Sequence, residues 1–239
     1  MAILVRSQCS NRHDDAFELR ISESYKLTDV SVALHQEKRF HFVAKRILDV
    51  CISALALLIL LPFLLAVALL IKLDSPGPVL FKQERWGKGC SKIRVFKFRS
   101  MRTDRCDLSG INQTVRDDPR VTRLGAIMRR TNIDELPQLL NVLRGDMSLV
   151  GPRCHAVGML AAGMPYEELV PEYHRRHVMR PGMTGLSQMR GLRGPTDRQG
   201  KARARIACDL HYVDNFTIWL DLRIILGTII SELKGGNGF

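Results

Sequence analysis

From Val50 to Ile71 the chain is almost unbroken apolar sequence, with Pro62 at its centre. A helix of about 20 apolar residues is what a bilayer's hydrocarbon core requires, so this run must meet lipid or be buried outright. Three structures satisfy it: a kinked single span, a re-entrant segment that enters and leaves by one leaflet, or a buried core helix. Flanking charge separates them. Lys45 and Arg46 precede the run, while Lys72, Lys82, Arg85, Lys88, Lys92 and Arg94 follow it. Basic flanks stay on the cytoplasmic face, so two of them favour the re-entrant form. Pro62 lacks a backbone donor and its ring obstructs the carbonyl of Leu58, which predicts a break in the membrane helix. Such a break is tolerated where the freed carbonyls find partners inside the protein. Asp49 is costly in hydrocarbon and is expected at the interface beside Lys45 or Arg46.

The 239 residues suffice for one main domain with a core, and the net charge of +12 implies an anionic partner. Nucleic acid, an acidic membrane surface or a phosphorylated substrate would all fit; the apolar run favours the last two. Cys9, Cys51, Cys90, Cys106, Cys154 and Cys208 lie far apart, at no zinc-site or redox spacing, and read as reduced, isolated thiols. The N-terminal MAILVRSQCSNR shows no secretory signal pattern, and residues 1–40 read as a mobile or accessory extension.

After the membrane run comes the turn cluster DSPGP, then two β-prone stretches, Val79–Gln83 and Ile93–Phe98, joined through Gly87, Lys88 and Gly89. Lys97 and Arg99 alternate with apolar neighbours, as in a half-buried strand or a cationic wall for phosphates. The strongest chemical signal is Asp134-Glu135, in TNIDELPQLLNVLRGDMSLVGPR. Leu136, Leu139, Leu140 and Leu143 have helical spacing, with Gly145 as the stop. Either Thr131 caps this helix in a capping box with Asp134, or the helix begins nearer Asp134 and places Pro137 in its first turn, where proline is tolerated. In the second arrangement the carboxylates sit at a positive helix terminus that also suits a phosphate. One carboxylate could attack phosphorus while its neighbour holds a divalent metal. Arg120, Arg129 and Arg153 surround the pair in sequence, and arginine's fork matches phosphate oxygens.

The loop RPGMTGLSQMRG, which begins at Arg180, has a permissive backbone for close approach to a ligand but not the spacing of a P-loop. His174 and His177 have metal-compatible spacing, yet with Arg175 and Arg176 beside them they read as a solvated basic face. Tyr212, Phe216 and Trp219 accompany an apolar stretch too short to span a bilayer, suited to the interface, to the core, or to both.

KRILDV, SPGPVLFKQERWG, FKFRSM, DPRVTRLG, the Asp134 segment, RPGMTGLSQ and DLHYVDNFTIWLDL occur in this order across residues 41–232, and together they resemble the bacterial sugar transferase family of monotopic phosphoglycosyl transferases. The resemblance implies an α+β, mainly helical fold: an extension (1–40), a re-entrant membrane helix-break-helix (41–75) hinged at Pro62, and a cytosolic catalytic domain (76–239) with a small β-hairpin and interfacial helices. It implies a Mg²⁺-dependent transfer of a hexose 1-phosphate, glucose or galactose, from a UDP-sugar to undecaprenyl phosphate with release of UMP, initiating exopolysaccharide synthesis at the cytoplasmic face of the bacterial inner membrane. Asp134 would be the nucleophile and Glu135 the Mg²⁺ ligand. The candidate phosphate ligands are Lys97, Arg99, Arg120, Arg129, Arg153 and Arg180. Membrane lipids and the two substrates are the expected partners, nucleic acid is not, and a homodimer stays open. The chain departs from the family's Gly-Pro-Arg-Pro with Cys154 in the last place, which weakens the carry-over at Arg153. A membrane-tethered basic binding module without catalysis is the alternative reading.

Overall fold

The computed structural model describes residues 38–103 and 118–233. Cys9, Cys106 and nearly all of the expected N-terminal extension lie outside the described residues.

Helix α1 (Arg39–Asp74) contains the whole apolar run. The break expected at Pro62 is absent: Pro62 lies inside one uninterrupted helix. A proline forfeits one hydrogen bond and crowds one carbonyl, a deficit that a long helix can absorb as a bend because the bonds on either side persist. Most of α1 is exposed, including Leu55, Leu58, Ile59, Phe63, Leu65 and Leu69, and it is long and apolar enough to cross a membrane.

Two stretches of α1 are buried, and both press on the same globular body. At one end Lys45, Asp49 and Ser53, one helical turn apart, are buried. At the other, Val67 and Ile71 join Phe98 and Met128 in an apolar cluster. The basic and acidic residues at the entry serve as ties to the body. Lys45 Nζ pairs with Asp221 at 2.6 Å and donates to the carbonyl of Val150 at 2.7 Å. Asp49, expected at the lipid interface, instead accepts from Ser148 Oγ (3.0 Å) and the Leu149 N–H (2.9 Å). Arg46 donates to the carbonyls of Val142 and Leu143 in the last turn of a short helix.

The hairpin follows as expected, with β1 (Leu80–Trp86) antiparallel to β2 (Lys92–Phe98) and Gln83 opposite Val95. Helix α2 (Arg123–Arg130) is N-capped by Thr122, whose hydroxyl accepts from the Gly125 N–H. A 3-10 turn (Ile133–Glu135) leads into α3 (Gln138–Arg144), with Pro137 at its cap and Gly145 (φ 90°) ending it. Of the two helix starts weighed, the later one holds. Thr131 closes α2 instead, its hydroxyl donating to the carbonyls of Ile127 and Met128.

Strand β3 (Ser148–Val150), the small hairpin β4 (Leu160–Ala161) and β5 (Met164–Pro165), α4 (Tyr166–Leu169), a 3-10 turn (Tyr173–Val178), β6 (Gly182–Thr184) and α5 (Leu186–Met189) follow. Helices α6 (Gln199–Asp214) and α7 (Ile218–Leu233) complete the order. Strand β6 runs parallel to β3, Ser148 opposite Gly182. The RPGMTG loop therefore approaches its own chain: a Cβ on Gly182 would stand 2.1 Å from the Gly151 nitrogen. Its Gly182 serves backbone packing.

Tyr212 and Phe216 are core residues, buried with Val150, Val178 and Ile224. One turn later α7 changes character and exposes Trp219, Leu222, Leu226 and Ile229 at helical spacing. The aromatic segment near the end thus has both roles, divided at the α6–α7 corner.

Candidate active site

One face of the hairpin, the turn before α3 and the segment after β3 enclose a cavity of about 500 Å³. Alternation along β1 and β2 places Phe81, Gln83, Arg85 and Lys97 on one face, and all four line the cavity. Asp134 and Glu135 enter from the 3-10 turn, which is preceded by Asn132 in the left-handed region (φ 55°). The N–H groups of Glu135 and Leu136 bond the carbonyls of Asn132 and Ile133. They are therefore spent on the turn, unlike the free N–H groups expected at a helix terminus.

The two carboxylates differ in environment. Asp134 is buried, and that burial, with the charge of Glu135 adding to it, raises its pKa from the ordinary 3.8 to about 6 against the pull of Lys97 and Arg129. Burial would raise Glu135 as well. Lys97 and Arg153 reverse the effect, aided by the Lys97 hydrogen bond and by Arg85, and bring it down to about 2. Lys97 Nζ stands 2.5 Å from Glu135 Oε1. Paired carboxylates pushed apart in this way are equipped for different tasks.

Of the predicted phosphate ligands, Lys97, Arg99, Arg120, Arg129 and Arg153 all line this cavity. Their commitments differ. Arg99 is buried with its terminal nitrogens on the carbonyls of Ile71, Ser75 and Pro76, so it caps α1 and is not placed to receive a phosphate through those atoms. Arg120 makes a two-pronged pair with Asp118, and Arg129 Nε donates to Ser100 Oγ. Arg180 is a correction: it is exposed, outside the cavity lining, and its charge bears on Lys88 at the hairpin turn. It precedes β6, whose Met183 and Thr184 do line the cavity.

Residues not anticipated complete the lining. Arg85 donates to Gln83 Oε1 and to the carbonyl of Cys154; its period-two relation to Lys97 across the hairpin is the signal that could have found it. His155 is fully buried, with Nδ1 3.1 Å from Tyr173 Oη and its pKa driven well down by burial and by Arg176 and Arg153. Its imidazole is therefore neutral at physiological pH. Glu232 of α7 accepts from Asn132 Nδ2 at 3.0 Å and pairs with Arg193, closing one wall. Nothing local in the sequence marks these last contacts, which span up to 100 residues.

The structure thus sets a cation-lined cavity with two differentiated carboxylates beside a long exposed apolar helix. The chain belongs to the bacterial sugar transferase family, whose model matches residues 40–235. It is 74% identical over 197 residues to the exopolysaccharide production protein PSS of Rhizobium leguminosarum bv. phaseoli, covering 82% of this chain and 98% of that protein. It is 50% identical over 195 residues to a UDP-glucose:undecaprenyl-phosphate glucose-1-phosphate transferase of Caulobacter vibrioides (82% and 72%), and 44% identical over 187 residues to the protein of that name in Escherichia coli K12 (78% and 39%). The chain thus spans nearly all of one relative and about two fifths of another.

Proposed function

We propose that this chain transfers a hexose 1-phosphate from a UDP-sugar to undecaprenyl phosphate by a two-step covalent mechanism at a membrane surface. The observation that carries this is the pair itself: Asp134 near-neutral in pKa and Glu135 fully ionised, side by side in an arginine-lined cavity. The names of the relatives supply the substrate class. Another relative, 41% identical, is named for N-acetylgalactosamine phosphate transfer, so the choice of sugar rests on a donor screen.

In the first step a carboxylate oxygen of Asp134 attacks the sugar-bearing phosphorus. The bond to the bridging oxygen breaks, UMP leaves with that electron pair, and an aspartyl phosphosugar remains. In the second step an oxygen of undecaprenyl phosphate attacks the same phosphorus and the Asp134 carboxylate departs. An anion approaches an anionic pyrophosphate only if its charge is offset. Arg153 and Arg129 on the lining provide that offset. Glu135 suits Mg²⁺: it is a hard oxygen donor, ionised at any physiological pH, with Lys97 on one oxygen and the other left for a cation that also takes substrate phosphates. Bound there, Mg²⁺ would neutralise pyrophosphate charge.

Both ends of α1 pack on one body, which favours entry and exit by one leaflet; a crossing would carry one of those ends away from the body. Exposed Trp219, Leu222 and Leu226 on α7 add an interfacial face. Purified protein with UDP-glucose, undecaprenyl phosphate and Mg²⁺ should release UMP, and Asp134→Asn should lower the rate at least 10³-fold. Retained turnover in Asp134→Asn would remove Asp134 as the nucleophile.

A further inference from the structure

The turn of the hairpin and the 3-10 turn Tyr173–Val178 bring Cys90 against two histidines that lie 84 and 87 residues further along the chain. Cys90 Sγ lies 3.6 Å from His174 Nδ1 and 3.3 Å from His177 Nδ1, and the two Nδ1 atoms are 3.4 Å apart. Around a tetrahedral zinc ion, bond lengths of about 2.3 Å to sulfur and 2.0–2.1 Å to nitrogen put sulfur and nitrogen roughly 3.6 Å apart and the two nitrogens roughly 3.4 Å apart. The triangle in the protein matches those dimensions to within about 0.3 Å. Hydrogen bonding accounts for it less well, because each Nδ1 offers either one proton or one lone pair, and three mutual contacts then require shared protons. A metal uses all three lone pairs at once.

The surroundings agree. Histidine 177 is buried, Cys90 and His174 are half-buried, and no solvated basic face of the expected kind exists here, since the intervening Arg176 is buried against Asp209 at 2.7 Å. The rings of Trp86 and Tyr173 stand within about 6 Å of both imidazoles and form an apolar wall. Cys90 is held at φ 56°, in the left-handed region that a side-chain-bearing residue rarely adopts. Local strain of this kind tends to persist where a site requires it.

We propose that Cys90, His174 and His177 form a zinc site, separate from the catalytic cavity. One thiolate and two imidazoles are borderline-soft donors that suit Zn²⁺ and not Mg²⁺, and solvent or a small ligand would take the fourth position. The ion would staple the hairpin turn to the segment whose Arg176 donates to the backbone carbonyl of Arg153, so it would steady one wall of the cavity from behind.

The full chain, purified in detergent from zinc-supplemented cells and washed with a weak chelator, should carry stoichiometric zinc by elemental analysis. Cys90→Ser and His177→Ala should lose it. Replacement by Co²⁺ should produce a thiolate-to-cobalt charge-transfer band and intense tetrahedral visible bands, with the first absent in Cys90→Ser. Added zinc should also protect Cys90 of the wild-type protein from alkylation, a readout that does not depend on whether a variant folds. Folded wild-type protein that retains no zinc, a cobalt spectrum without the sulfur band, or alkylation indifferent to zinc would each overturn the site. None of these readouts involves turnover, so the outcome is independent of the proposed transferase activity.

Discussion

Single residues carry the chemistry through their surroundings. Asp134 and Glu135 are adjacent acids, yet one is raised to about 6 and the other lowered to about 2, because burial dominates at the first and Lys97 with Arg153 dominates at the second. In the proposed mechanism Asp134 must be ionised to attack, which gives kcat/KM an acid limb near pH 6. In Lys97→Met the opposing positive charge is gone, so the limb should move to higher pH; a limb that stays in place in pH–rate profiles would remove Asp134 from the role. Stability moves the other way. A pKa raised above its unfolded value favours the fold below pH 3.8 and loses that contribution as pH rises through about 6. At neutral pH the ionised Asp134 costs about 3 kcal/mol by this difference. Asp134→Asn should therefore melt a few degrees higher than wild type while losing turnover, checked by thermal unfolding in detergent. Glu135 has the opposite sign, contributing above pH 4.5 and losing that as pH falls through about 2.

At the scale of elements, several cations that resemble membrane flanks or phosphate ligands in sequence are fastenings. Lys45 joins α1 to Asp221 of α7, both almost fully buried, with Tyr212 Oη donating to the same carboxylate at 2.6 Å. Removing one partner of such a pair strands the other, at about 3–5 kcal/mol. Lys45→Met should lower the unfolding midpoint sharply, whereas Lys72→Met, on the exposed side of α1, should not; Lys45→Met combined with Asp221→Leu should recover much of the loss. Equal effects of the two lysine variants in a melt would contradict the buried pair. Arg99 performs the same kind of service at the other end of α1, binding the carbonyls of Ile71 and Ser75 where the helix gives way to the turn. That is why its place on the cavity lining does not make it a phosphate ligand.

For the whole molecule, the apolar surface of α1 and the exposed stripe of α7 belong to one body that also holds the cavity, which is how a soluble donor and a lipid acceptor could reach one carboxylate. Cysteines placed at Phe40 and Glu84, both exposed in positions flanking α1's lipid-facing length, should react with a membrane-impermeant reagent from the same side in vesicles. Reaction from opposite sides would mean a full crossing. Much of this was legible without coordinates. The apolar run, the two strands of the hairpin, the proline-started helix with its glycine stop and the acidic pair are all local: each follows from periodicity, turn chemistry or composition over a few residues. Tertiary structure alone decided the partners. Lys45 finds Asp221 across 176 residues, Cys90 meets His174 across 84, Arg85 joins the site while Arg180 leaves it, and Pro62 stays within a continuous helix. The physical reason is that a charge or a thiol in sequence states only what it can bond. Which group it does bond is settled by burial, where leaving a polar atom unpaired costs more than the choice among local conformations.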